Sequence, residues 1–223
     1  MAKPSNKNNP KVVIVGAGGF GRETLEILKD CNKVSKTWNV MGFIDEDKNL
    51  HGKKINNCPV LGGLEWIREN RGSGIGCVCA IGTCETRKHV VEELEGIGVP
   101  FYNAIHQSVI IKDFVELGKG IIIQAGSILA VNSKIGDHVH INFHCAIGHD
   151  ARIGNYCTIS PHVTINGFNR LGEGVYVGAG ASFVQEISIG AWTIIGAGAA
   201  VVGNIPEKVV AVGVPAKVVK KRG

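Results

Sequence analysis

The sequence predicts an α/β domain followed by a parallel β-solenoid, and three observations carry that prediction. From Ile105 to Val201 an aliphatic residue or Phe recurs at every sixth position without a break. Ahead of that run, Val12-Val13-Ile14-Val15 leads straight into Gly16-Ala17-Gly18-Gly19-Phe20-Gly21 and then a helical pattern. Glycine supplies 31 of the 223 residues, about twice its ordinary share, as an architecture of many tight turns requires.

Residues 11–102 read as the α/β domain, behind a flexible tail at 1–10. Strand, G-x-G-x-x-G, helix is the context in which backbone amides and a helix N-terminus face an anion. The motif glycines Gly16, Gly18, Gly19 and Gly21 are therefore candidate phosphate-cradle residues. A second strand, Asn39 to Ile44, ends at Asp45-Glu46-Asp47. Asp45 lies 24 residues after Gly21, close to the spacing of an acid that meets a ribose hydroxyl. Further βα signals run over 60–71 and 76–94. About half of a doubly wound sheet fits in this length, which suits a mononucleotide or nucleotide-sugar better than NAD. Cys77 and Cys79 alternate within a strand and fall on one face as buried thiols.

Residues 103–205 form the solenoid, with a C-terminal cap at 206–223. A six-residue period is no multiple of 3.6, so helices are excluded. Four residues beyond many apolar positions stands a small one: Ser127, Ser133, Cys145, Ala151, Cys157, Ala181, Thr193, Ala199. Glycine often follows the apolar residue directly. Short strands, tight turns and a repeated inward aliphatic describe coils that stack identical residues. Cys145 and Cys157 are thereby core fillers.

Composition narrows the function. The formal charge of +5 is mild, and charged residues make up 19%. Lys217, Lys220, Lys221 and Arg222 read as a solvated end, so no nucleic-acid partner is expected. No apolar run is long enough to span a membrane, and the polar start carries no hydrophobic signal region. With an odd seven cysteines, the chain reads as a cytoplasmic protein with reduced thiols.

The hexad pattern resembles the hexapeptide-repeat acyltransferases. That resemblance implies a left-handed parallel β-helix of triangular section with 18 residues per coil. It also implies a homotrimer that binds acyl-CoA in the groove between neighbouring prisms. Gly213-Val214-Pro215-Ala216-Lys217 is similar to the C-terminal signature of that family. With the half-Rossmann domain in front, residues 11–217 resemble the bacterial nucleotide-sugar and sialic acid acetyltransferases. The resemblance implies acetyl-CoA as co-substrate, no required metal, and N-acetylation of a UDP- or GDP-linked 4-amino-4,6-dideoxy sugar. It would place Gly18, Gly19, Phe20, Asp45, Glu46 and the loop Ile81-Gly82-Thr83 around the nucleotide.

Acetyl transfer from a thioester requires a group that takes a proton from the acceptor, and imidazole suits that task near neutral pH. Five of the eight histidines lie between His138 and His162. Ile147-Gly148-His149-Asp150 matches the family's catalytic dipeptide, which makes His149 the general base and Asp150 its orienting acid. Asp150 stands where relatives carry the longer Glu, which weakens the case for a direct hydrogen bond to His149. Gly167 follows His149 by one coil, leaving room for the imidazole and an amide for the thioester oxygen; the resemblance gives it that oxyanion role. Asn142 matches a residue that positions the sugar, and Thr158, Gly178, Ala179 and Ala197 match the coenzyme A channel. His144 and His162 should stack on adjacent coils. A metal there is disfavoured because no cysteine or carboxylate completes the set, and His144 is assigned to the acceptor pocket or subunit interface. His106 reads as a structural turn residue.

The sequence thus favours an acetyl-CoA-dependent sugar N-acetyltransferase acting by direct attack. Sialic acid-type O-acetylation is the second reading. A non-catalytic nucleotide-sugar-binding scaffold and an NAD-dependent oxidoreductase are rivals of other classes.

Overall fold

The computed structural model describes residues 9–222, so the expected tail falls almost entirely outside the described residues. Branched side chains suited to a pleat form β1 (Lys11–Val15), where Val12 to Val15 are all buried. Helix α1 (Gly19–Val34) crosses to β2 (Asn39–Ile44). A hairpin of β3 (Lys54–Ile55) and β4 (Cys58–Gly62) follows, then α2 (Leu64–Asn70), β5 (Ile75–Cys79) and α3 (Cys84–Gly96). The sheet order is β3-β4-β2-β1-β5, and β1, β2, β4 and β5 run parallel. Chain progression reverses between β1 and β5, the crevice where open α/β sheets take ligands. Strand β3, antiparallel to β4, has no signal in the sequence because two residues cannot display alternation. Cys77 and Cys79 pack with Val91 and Leu94 of α3, while Val78 packs with Leu25 and Leu28 of α1. Burial pushes the Cys77 thiol up to about 12 and that of Cys79 to about 11.

Each of the seventeen recurring apolar positions closes a two-residue strand, from Ala104–Ile105 to Ala200–Val201. Up to Ser182–Phe183, each strand pairs in parallel with the one 18 residues along; Ile147 lies between Leu129 and Ile165. Three sheets result, and the chain is a left-handed parallel β-helix. The first face begins at Ala104–Ile105, the second at Ile110–Ile111 and the third at Glu116–Leu117. The small register is buried throughout, and the Ser127 and Thr193 hydroxyls donate to the carbonyls of Asn142 and Pro206.

The corners carry a feature absent from the sequence reading. Left-handed backbone, ordinarily a glycine conformation, is adopted there by His138, His144, Asp150, Tyr156, His162, Phe168 and Trp192. Strand pairing on both sides of each turn holds it in place. Strand β23 (Val209–Val212) extends the first face in parallel, and β24 (Lys217–Lys221) folds back antiparallel on it. The basic end is therefore a paired strand whose lysines stay exposed to solvent, as expected. Its Arg222 donates to the Trp192 carbonyl (2.7 Å) and to Glu85 (2.6 Å). Helix α3 lies over the first face, with Lys88 bonded to Glu173 and Lys119 paired with Glu95. Among the described residues, no helix is long and apolar enough to cross a membrane.

Candidate active site

The switch-point crevice opens between the α/β domain and the first face as a cleft of 640 Å³. Phe20, Gly82, Thr83, His140, Asn142 and Thr158 line it. A Cβ on Gly21 would sit 1.9 Å from the Gly16 carbonyl oxygen, so only glycine fits that turn. Gly18 and Gly19 have open space around them, and Gly18 caps α1 without any side-chain bond. The first amides of α1 thus stay available to an anion. Asp45 does not line the cleft: its two oxygens accept the Ala17 and Asp47 amides at 2.8 and 2.9 Å, so it braces the glycine loop. Glu46 likewise accepts the Leu64 amide (2.7 Å) and caps α2. Both acids are thus bonded to backbone amides of the segments that flank the cleft. Phe20 packs against His140 with its ring tilted by 34° and the centroids 4.7 Å apart.

His149 stands on the corner between the second and third faces, its side chain 44% exposed. Its Nδ1 lies 2.9 Å from Asp150 Oδ2. The shorter acid does reach the ring, because the left-handed backbone at Asp150 (φ 57°) turns the carboxylate back toward its neighbour. An acceptor on that side selects the tautomer with the proton on Nδ1, leaving Nε2 as the open basic nitrogen. One coil along, a Cβ on Gly167 would meet His149 Cε1 at 2.5 Å and Nε2 at 2.6 Å. The imidazole occupies the space that a side chain at 167 would need. Phe168 meets the ring edge-on at 5.1 Å.

Asn142 stands elsewhere, on the corner between the first and second faces, and donates to the Ile159 carbonyl (3.2 Å). The same edge carries Gly178, Ala179 and Ala197, with Gly180 and Gly198 open to solvent. Small residues at these positions leave that corner without bulky side chains. Thr158 stands apart from them: it is buried at the domain junction, where Arg87 donates to its hydroxyl (3.0 Å). His144 and His162 are exposed on the Asn142 edge, stacked 5.5 Å apart. Among the described residues no three His, Cys, Asp or Glu side chains converge as a metal group. His106 bonds Ser108 within its own turn (2.8 Å). The whole second face separates His149 from Asn142 and the cleft, so a single chain does not join its imidazole to its own pocket.

Sequence reasoning missed several residues of the cleft region, three of which bear on its charge and shape. His140 and Arg222 line it, and Arg87 sits directly behind its wall. Arg87 and Arg222 read as ordinary helix and tail charges, and nothing in their spacing marks them. His140 carries a weak signal, an outward strand position filled by a ring between two buried neighbours.

Two family models match this chain, the PglD N-terminal domain over residues 11–94 and the bacterial transferase hexapeptide (six repeats) over residues 132–167. The chain is 31% identical over 213 residues to GDP-perosamine N-acetyltransferase of Escherichia coli O157:H7, covering 93% of this chain and 96% of that one. A histidine-to-asparagine mutant of perosamine N-acetyltransferase from Caulobacter crescentus, solved with CoA and GDP-perosamine, superposes with a TM-score of 0.88. That match has 32% identity and covers 95% of this chain and 97% of the other. The acetyltransferase domain of PglB from Neisseria gonorrhoeae gives 0.86 at 26% identity, covering 95% and 100%. With relatives matched along almost their full length, the chain belongs to the hexapeptide-repeat sugar N-acetyltransferases that carry a PglD-type N-terminal domain, a family of acyltransferases.

Proposed function

We propose that this protein transfers the acetyl group of acetyl-CoA to the amino group of a UDP- or GDP-linked 4-amino-4,6-dideoxy sugar, with His149 as general base. The observation that carries the reading is the His149–Asp150 pair, whose free Nε2 faces the side-chain-free Gly167. The nucleotide-sugar enters the cleft beside Phe20, Gly82 and Thr83, with Asn142 near the acceptor end. His149 Nε2 takes a proton from the attacking amine as the C–N bond forms. The Gly167 amide, which donates to no described residue, receives the carbonyl oxygen as it gains charge. Collapse breaks the C–S bond and releases coenzyme A, with the proton from His149 passing to the leaving sulfur.

A homotrimer supports this chemistry, because a second prism can bring its His149 corner to the cleft edge of the first. Ile110 and Ile128, outward on the second face and 46% and 41% exposed, supply apolar surface for that contact. Seven free thiols and the use of acetyl-CoA support a cytoplasmic enzyme. The GDP-perosamine relatives favour GDP over UDP and N- over O-acetylation. The test is mass spectrometry of products from acetyl-CoA and a panel of UDP- and GDP-linked amino sugars. One substrate gaining a single acetyl group is expected; turnover only on a free sugar hydroxyl would replace the reading with O-acetylation.

A further inference from the structure

Behind the cleft wall sits a charge with no carboxylate partner among the described residues. Arg87 of α3 is fully buried. Its Nη1 donates to the carbonyls of Ile81 (2.8 Å) and Gly82 (3.3 Å) and lies 2.8 Å from His140 Nδ1. Its Nη2 donates to the carbonyls of Tyr156 (2.6 Å) and Cys157 (3.2 Å) and to the Thr158 hydroxyl. Nη2 also donates to the Cys84 sulfur (3.8 Å); the carbonyl, hydroxyl and imidazole acceptors are neutral. His140 Nε2 donates to the Cys79 carbonyl (2.9 Å), so its Nδ1 accepts from Arg87, and burial together with the guanidinium holds this imidazole uncharged. The thiols of Cys79 and Cys157 are pushed up to about 11 and 12 and supply no negative charge at neutral pH. The adjacent carboxylate, Glu85, is bonded to Arg222. A buried guanidinium is costly unless something balances it. Gly82, His140 and Thr158, which Arg87 ties together across both domains, all face the cleft.

We infer that Arg87 is the positioning and charge-selecting residue of the nucleotide-sugar pocket: it fixes the Ile81–Thr83 loop against the β-helix and leaves uncompensated positive charge for the ligand's phosphates to neutralise. The inference rests on the proposed nucleotide-sugar site. It requires a pocket whose affinity rises with ligand charge, and it makes Arg87 act on sugar-nucleotide binding rather than on the acetyl-transfer step.

The test is a charge ladder. Dissociation constants of the nucleoside, its monophosphate and its diphosphate are measured for wild type, R87K, R87M and R87Q, in both the guanine and uracil series, with melting temperatures recorded alongside. In the series that wild type binds, affinity should rise at each phosphate. R87K should keep that rise, while R87M and R87Q flatten it at least threefold and raise KM for the sugar nucleotide without a matching change in kcat. Comparison within one variant's ladder cancels general loss of structure, and R87Q stands in if R87M does not fold. An equal rise in all four proteins overturns the inference while sparing the pocket; failure of wild type to bind either series overturns the function on which it rests.

Discussion

At the scale of single residues, the proposed chemistry depends on one ring and its immediate neighbours. His149→Ala should lower kcat by about 10²–10⁴, the usual worth of a general base. Its melting temperature should change little, because the side chain is nearly half exposed. Gly167→Ala should also cut kcat strongly, since the added methyl would overlap the imidazole; steady-state kinetics with acetyl-CoA checks both. His138 and His140 give a separate pH prediction. Burial lowers both pKa values from their ordinary value, so the unfolded chain binds protons that the folded one refuses. Stability is then fully present above about pH 6.5 and declines below it, by up to about 1.4 kcal/mol per pH unit for each group. Thermal melts from pH 8 to pH 5 should show that decline. The His149–Asp150 pair stood out in the sequence because His followed by an acid is a local pattern. Arg87 and His140 were not, because 53 residues separate two atoms that lie 2.8 Å apart.

At the scale of elements, the hexad walk was legible because stacking repeats one environment, and a repeated environment writes itself into sequence. Ile159, fully buried in the β-helix core, should cost about 2–5 kcal/mol when replaced by Ala, measurable by denaturant unfolding. The glycine turn of the α/β domain was legible for an equally local reason, since Gly21 has no room for a Cβ. The corners were less so. Asp150 and Phe168 take a left-handed backbone that neither prefers, and only pairing between coils imposes it. The same corner turns Asp150 onto His149, which side-chain length alone did not foresee. Asp45 and Glu46 show what spacing does not display: their oxygens accept backbone amides brought to them by the fold.

At the scale of the whole molecule, the cleft and the imidazole occupy different edges of one prism. In the proposed function, their separation by the entire second face makes assembly part of the mechanism. Ile128→Asp should therefore abolish both the trimer and turnover, read by light scattering and by activity at matched concentration; a fully active monomer would break that link. The central claim is that each site takes its cleft from one chain and its base from another. The most direct measurement co-expresses two inactive variants, His149→Ala and a cleft-filling Thr83→Trp, and purifies the mixed assembly through two tags. The account predicts that acetyl transfer returns, because some seams join an intact cleft to an intact His149. A mixed assembly no more active than either variant alone would contradict it.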